Sequence, residues 1–527
     1  MDRQEIAQLG RLSPFEVQWD LAVRAQASPA GRDLDAGKGQ PNWLATTPRH
    51  AFHLLGRFAV GEAETGATHA DAGWAPDRDG VAERLDRFLD AHADERGVDL
   101  LRATIDRGVT SHGSDRETWV RELVAGVLGN RYPWPHRMLA HIEPIAHDYL
   151  MATHCAGGAP EGRFRLFATE GGAAAMTYLF QSLRWNGLVV PGDRIAVGTP
   201  IFSPYLQIPN LVEYGFEMVH VRADPDVGWR YPAAELDQLR DPTVKAFFLV
   251  DPGNPGTRAL GPEELGALRE IVSTDRPDLL ILADTAYATF IDGFRSLLGE
   301  LPRQTIAVHS FSKHFGATGE RLALIAQHED HVVDELLRGQ PASDRARRAD
   351  RYSSVTADLD GFAFADRVAA DSRDVALYHI AGLSTPQQVQ LALFAVFALL
   401  EDGRSYLAMT REVLLRRLRS LLGPLGMEPP AGSDTHYYTL IDVIDLVRRR
   451  HGDDVATWLV VNENPLAFAI TLAERYGVVV LPGRGFEATS WSVRVSLANL
   501  PDDRYPEIAA ALLAAIDDLH TAFDQRQ

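Results

Sequence analysis

Thr305-Ile306-Ala307-Val308-His309-Ser310-Phe311-Ser312-Lys313 is the segment from which the architecture can be read. Its first four residues are apolar or β-branched, the length of a buried strand, and they run without a break into a polar turn that carries a lysine. The pattern recurs on the N-terminal side. Residues 194–197, 246–250 and 279–283 are strand-length apolar runs, each followed by a polar or Gly/Pro turn, with helix-length segments between them. Strands spaced by helices predict βαβ units and a mostly parallel sheet buried on both faces, with ligands held beyond the carboxyl ends of the strands. Asp251 to Asn254, Asp284, and His309 to Lys313 would then gather at one end of that sheet.

The remaining sequence sets the boundaries. A chain of 527 residues, 46% hydrophobic and 24% charged, is an ordinary globular protein with room for two or three domains. Its net charge of −20 repels phosphate backbones and anionic lipids, which argues against nucleic acid or a membrane as partner. Cys155 is the single cysteine, so an intramolecular disulfide framework and a multi-cysteine metal site are excluded. A reducing compartment follows, with Cys155 filling apolar space and no metal expected. The first ten residues lack the apolar core of a signal peptide, and no apolar run reaches the roughly 18 residues that span a bilayer, so a cytoplasmic chain is expected. The Gly/Ala/Asp-rich residues 61–80 predict a surface loop. After Leu383 the pattern changes to a helical run at 385–401 and a helix-rich tail with strand candidates at 436–441 and 491–496, a second domain.

Several polar residues at strand ends carry chemistry. Lys313 offers an amine that can form an imine with an aldehyde, and Ser310, Ser312 and Arg321 around it are donors suited to a phosphate. Asp284 ends a buried apolar strand, where a carboxylate without a cationic partner is costly; a protonated pyridine nitrogen would supply that partner. Tyr287 and Asn254, the latter in Asp251-Pro252-Gly253-Asn254-Pro255, are placed to donate to a ring oxygen. Thr169-Glu170-Gly171-Gly172 opens a helix of small residues whose free amides can bind phosphate. Singly, each has a plainer reading: a surface lysine, a helix-capping aspartate, an ordinary Asn-Pro turn. In order along the chain, Asn254, Asp284, Tyr287, Lys313 and Arg321 answer the needs of pyridoxal 5'-phosphate (PLP). Lys313, Asp284 and Tyr287 would be the catalytic members.

The longer strings add a resemblance. Pro41-Asn42-Trp43-Leu44-Ala45-Thr46-Thr47-Pro48-Arg49, ATEGGAA at 168–174, GTPIFSPY at 198–205, SFSKHFGATG at 310–319, GLSTPQQ at 382–388 and WSVRVSLANL at 491–500 make the chain similar to the fold type I PLP enzymes, and within them to the bacterial aspartate 4-decarboxylases. The resemblance implies an α/β fold like that of aspartate aminotransferase: a large domain with a mostly parallel seven-stranded sheet and a smaller α+β domain. The expected boundaries are 1–125 for an N-terminal helical segment joining the small domain, 126–384 for the large PLP-binding domain and 385–527 for the C-terminal small domain. It further implies that Gly171 and Gly172 supply phosphate amides and that Phe202 stacks on the pyridine. Arg494 would clamp the substrate α-carboxylate with Asn254 beside it, and Tyr132 would reach the phosphate of a neighbouring subunit. A homodimer or larger homo-oligomer acting on a small amino acid follows.

The sequence also departs from that family. Its Gly-Arg-Gly-Asn reads here Gly37-Lys38-Gly39-Gln40, its Asn-His-Thr reads Tyr378-His379-Ile380, and its Trp-Arg pair reads Glu320-Arg321. Lysine at 38 keeps the charge that would face the substrate's distal carboxylate and loses the guanidinium fork. The expected reaction is β-decarboxylation of L-aspartate to L-alanine and carbon dioxide, with Lys313 as general base. Transamination is the side activity, and the alternatives are an aminotransferase or a decarboxylase of another amino acid. A PLP-binding regulator without turnover would carry a basic DNA-binding helix pair, and the N-terminal sequence has none.

Overall fold

The computed structural model describes all residues except Met1, Asp2, Arg32, Ala70, Pro135, 208–210, 212–213, 379–381, Ala431 and Gln527. By contacts the chain divides into two compact units, 1–43 with 191–276 and 409–527, and 44–190 with 277–408. Contacts thus group the chain along other lines than 1–125, 126–384 and 385–527. Arg194–Thr199, Glu217–Arg222 and Val244–Val250 fall in the first unit, and Phe164–Thr169, Leu280–Asp284, Thr305–Ser310 and Ala323–His328 in the second.

In the second unit, Leu280–Asp284 pairs in parallel with Thr305–Ser310. Thr305–Ser310 pairs antiparallel with Ala323–His328, which pairs antiparallel with Phe164–Thr169. Every residue of the three strands from 280 to 328 is buried, as expected of strands covered on both faces. Their cover is a cluster of apolar helices that includes Thr46–Glu64, Arg116–Leu128, Ile142–His154 and Thr385–Leu399. The last begins with a capping box between Ser384 and Gln387 and buries ten of its 15 residues, so its apolar character on all sides fits a core helix. Phe311 and Phe315, both 0% exposed, plant the lysine-bearing turn in this core. Phe311 packs 5.0 Å from Tyr149, and Phe315 packs 4.8 Å from Phe394, ring centre to ring centre. Burying each such ring contributes roughly 1.5–3 kcal/mol.

In the first unit, Arg194–Thr199 pairs in parallel with both Glu217–Arg222 and Val244–Val250. A separate antiparallel sheet runs Leu481–Pro482, Ser492–Ser496, Tyr438–Asp442. Leu34–Asp35 pairs in parallel with Val478–Val479, and Pro14–Gln26 packs its Val17, Leu21 and Ala25 with Ala469, Ile470 and Ala473 of Pro465–Tyr476. The N-terminal 43 residues group with 191–276 and 409–527, whereas residues 44–125 build the helical cover of the other unit.

The four strand runs at 194, 246, 279 and 305 and the pair at 436 and 491 lie where the sequence placed them, within a few residues. Phe164–Thr169, Glu217–Arg222 and Ala323–His328 complete the set. Residues 61–64 end the helix Thr46–Glu64, and the described residues from Thr65 to Gly80 form neither helix nor strand. Cys155 is buried against Met151, in the filler role assigned to it. Among the described residues no single helix is long and apolar enough to cross a membrane.

Candidate active site

In the second unit three strands end side by side. Ala323 pairs with Ser310 on one flank and Thr169 on the other, and Asp284 pairs with Val308. The turns after Thr169, Asp284 and Ser310 therefore share one edge, and they hold Gly171, Gly172, Asp284, Tyr287, Ser310, Ser312 and Lys313. Asp284 and Tyr287 are 6% and 4% exposed. Asp284 Oδ1 accepts the Ala286 amide at 2.9 Å, and the amide and hydroxyl of Thr285 both donate to Val308 O, at 2.8 and 3.1 Å. These bonds fix the direction in which Asp284 leaves its strand.

The turn from Ser310 to Lys313 is held by its own backbone. The Ser312 amide donates to Ser310 Oγ at 3.2 Å, the Phe311 amide to Leu322 O at 3.0 Å, and the Ala317 amide to Ser312 O at 3.1 Å. Ser310 and Ser312 are buried and Lys313 is half-buried.

Arg321 completes this edge from an unusual backbone position, φ 56°, with Nη1 donating to Thr318 O at 2.8 Å. Its guanidinium lies directly against Gly171, where any Cβ would collide with it. Gly171 has φ 99°, so both its backbone and its lack of a side chain are used. Its amide donates to Thr169 O at 2.8 Å, so Gly171 contributes room for the guanidinium and the first-turn amides of the helix Gly172–Trp185 are the available donors. Glu170 turns its carboxylate to the Gly382 amide and to Tyr178, away from those amides. Helix amides, an arginine and two serines beside a lysine form a cradle with the donor set that a phosphate requires.

In the first unit, Arg494 on strand Ser492–Ser496 is 3% exposed. Nη1 donates to Asn254 Oδ1 at 3.1 Å and Nη2 to Gly37 O at 2.7 Å, while Nε is buried with no hydrogen-bond partner among the described residues. The guanidinium carbon lies 4.2 Å from the ring centre of Tyr438 and 4.6 Å from that of Phe486. These rings fix the plane of a buried cation whose hydrogen-bond partners are neutral, an arrangement suited to receiving a carboxylate. Asn254, 2% exposed, follows the strand Val244–Val250. Asp251 closes that turn by accepting the Leu260 amide at 2.9 Å, and burial pushes its carboxyl up to about 7.

Phe202 is half-buried, with Tyr205 edge-on at 5.3 Å and Phe15 edge-on at 6.0 Å. Lys38 is exposed and ion-paired to Asp35 at 3.2 Å; its neighbour Gly37 is the residue that touches Arg494. Glu320 is paired with Arg49 at 2.9 Å. Gln40, Arg484, Tyr132 and Tyr378 are exposed, while His379 and Ile380 lie outside the described residues. Tyr438 and the Gly37 carbonyl escaped the sequence reading because no local pattern marks them. Phe486 sits two residues beyond Arg484 at the end of the short helical turn Gly483–Phe486.

The fold is that of the aspartate aminotransferases. A mutant Thermus thermophilus aspartate aminotransferase superposes with a TM-score of 0.61 at 18% identity, covering 98% of this chain and 99% of that one. The N-succinyldiaminopimelate aminotransferase of Mycobacterium tuberculosis does so with 0.58 at 18% identity, covering 96% and 97%. A family model described as "Aminotransferase class I and II" matches residues 156–512, and the chain belongs to that family. Among curated relatives, a "Bifunctional aspartate aminotransferase and L-aspartate beta-decarboxylase" of a Pseudomonas species is 43% identical over 518 residues, 98% of each chain.

Proposed function

We propose that this chain is a PLP enzyme that converts L-aspartate to L-alanine and carbon dioxide and also transaminates aspartate at the same site. The carrying observation is the near full-length similarity to a relative named for both activities. The buried, aromatic-clasped Arg494, whose described hydrogen-bond acceptors are all neutral, supports it from the physical side.

Bound PLP supplies an aldehyde carbon for covalent attachment and a ring that accepts electrons. Lys313 would hold it through the side-chain amine, and that amine would serve as the base that takes the substrate's α-proton and gives it back. Asp284 keeps the pyridine nitrogen protonated from its buried position at the strand end. Tyr287 and Asn254 donate hydrogen bonds to the ring oxygen, and Phe202 limits the tilt of the ring. Ser310, Ser312, Arg321 and the helix amides that open at Gly171-Gly172 hold the phosphate. Arg494 grips the α-carboxylate, with Asn254 orienting the guanidinium, and Lys38 faces the distal carboxylate after exchanging its pairing with Asp35. The large PLP-binding domain is assigned to 126–384. Family membership supports a homodimer or larger homo-oligomer, with Tyr132 reaching a neighbouring subunit, and we assign the enzyme to the cytoplasm.

The test is incubation of the purified chain with PLP and aspartate. Alanine and carbon dioxide in equal amounts are expected without any added keto acid. Oxaloacetate that forms only when a keto-acid acceptor is present, without carbon dioxide, would make the chain an aminotransferase alone.

A further inference from the structure

We propose that the unit carrying Lys313 has a second anion site, sharing no residue with the candidate active site, that binds a small dianionic oxyanion. It is a cavity of about 160 Å³ whose lining includes Arg165, Arg338, Arg345, Arg348 and Arg367. This cluster stands out in a chain of net charge −20.

Two of its arginines are buried without a carboxylate in hydrogen-bond contact. Arg348, on the helix Ala342–Tyr352, is 8% exposed, and its Nε and Nη1 have no hydrogen-bond partner among the described residues. Arg367 is 5% exposed, and its hydrogen bonds all go to neutral acceptors: Phe362 O at 3.0 Å, Asn186 Oδ1 at 3.0 Å and Leu359 O at 2.9 Å. Burial lowers the pKa of both, the sign expected of cations short of counter-charge.

None of the carboxylates that share the lining accepts a hydrogen bond from Arg348 or Arg367 among the described residues. Asp360 pairs with Arg345 at 2.8 Å, Asp334 accepts from Gln327 Nε2 at 2.6 Å and the Phe364 amide at 2.7 Å, and Glu329 accepts the Arg163 amide at 2.8 Å. Five guanidiniums against three carboxylates leave an excess of two positive charges, which one dianion would balance. Guanidinium forks match the oxygen spacing of phosphate and of carboxylate equally well. The volume exceeds the roughly 30 Å³ of a single water and falls below the roughly 300 Å³ at which pockets for drug-sized ligands begin. The occupant is therefore the size of inorganic phosphate or a short dicarboxylate.

Calorimetric titration of the PLP-loaded enzyme with inorganic phosphate, and separately with succinate, at fixed ionic strength tests this. One saturable site per chain is expected, with affinity at least about tenfold weaker in Arg348→Met and in Arg338→Ser and turnover of aspartate unchanged. Phosphate alone behaving so identifies a phosphate site, and succinate alone a dicarboxylate site; succinate binding that neither variant alters belongs to the amino-acid site. Arg338 is exposed, so its variant carries the test should Arg348→Met fail to fold. If neither ligand shows a saturable step that the variants weaken, the proposal is overturned.

Discussion

Around Lys313 the chain is held by apolar packing, with Phe311 and Phe315 fully buried on either side of the amine-bearing turn and backbone bonds closing the loop. Around Arg494 a single buried cation is held by two ring faces and two neutral oxygens. The difference matches the division of labour we assign: rigid backbone around the amine that does the chemistry, and an unneutralised charge for recognising a substrate carboxylate. Arg417 sharpens the contrast. It is 5% exposed against 3% for Arg494, but its Nε donates to Asp502 at 2.7 Å, so it carries its own counter-ion. A buried arginine with a carboxylate is part of the frame, whereas one without it is open to a ligand.

The largest effect is expected from the lysine region. Lys313→Ala should abolish the absorbance band of covalently held cofactor and lower turnover of aspartate by at least about 10⁴-fold, because both the attachment and the general base are lost. Survival of that band would break the assignment.

In the arginine region the damage should fall on binding. Arg494→Lys keeps the charge and loses the fork, and the KM for aspartate should rise roughly 10- to 100-fold while the cofactor spectrum stays as it was. A change in the spectrum with KM intact would show that the two regions do not divide the work in this way.

Asp251 allows a smaller test, read in the stability of the turn that carries Asn254. Burial raises its pKa from 3.8 to about 7 in the folded chain. The unfolded chain thus releases this proton first, and the contribution to stability is fully present below about 4 and lost as the pH rises towards 7. Asp251→Asn keeps an acceptor for the Leu260 amide and removes the titration. Its melting temperature at pH 8 should exceed that of the parent by roughly 2–4 °C, with the gap closing by pH 4. A gap of equal size at both pH values would remove burial of the carboxylate as the cause.

The smallest effect belongs to Lys38, exposed and already paired. Lys38→Met should raise the KM for aspartate only a few-fold, roughly what a solvent-screened ion pair contributes, and should leave the KM for alanine in the reverse transamination unchanged. Equal rises for both amino acids would mean that Lys38 does not face the distal carboxylate.

Much of the site could be read before the fold was known because its residues follow strand-to-turn transitions, which are local signals. Asp284, Asn254 and Lys313 each come directly after an apolar run, and each run is a strand. Strand Glu217–Arg222 was silent because its alternating polar residues lack the continuous apolar character of a doubly covered strand. Gly171 was legible as special but not in its role: from sequence it offers an amide, and in the fold that amide is already bonded to Thr169 O while the absent side chain admits Arg321.

The α/β class, the order of the strands along the chain and the polar residues that leave their ends were written in the sequence, because periodicity and turn chemistry act over a few residues. It took the folded chain to put Arg494 between Tyr438 and Phe486 against Gly37 O, Arg321 over Gly171, and residues 44–125 over the Lys313 unit. Those outcomes depend on partners far apart in the chain, and an amphipathic face or a lone cation does not encode which distant surface will satisfy it.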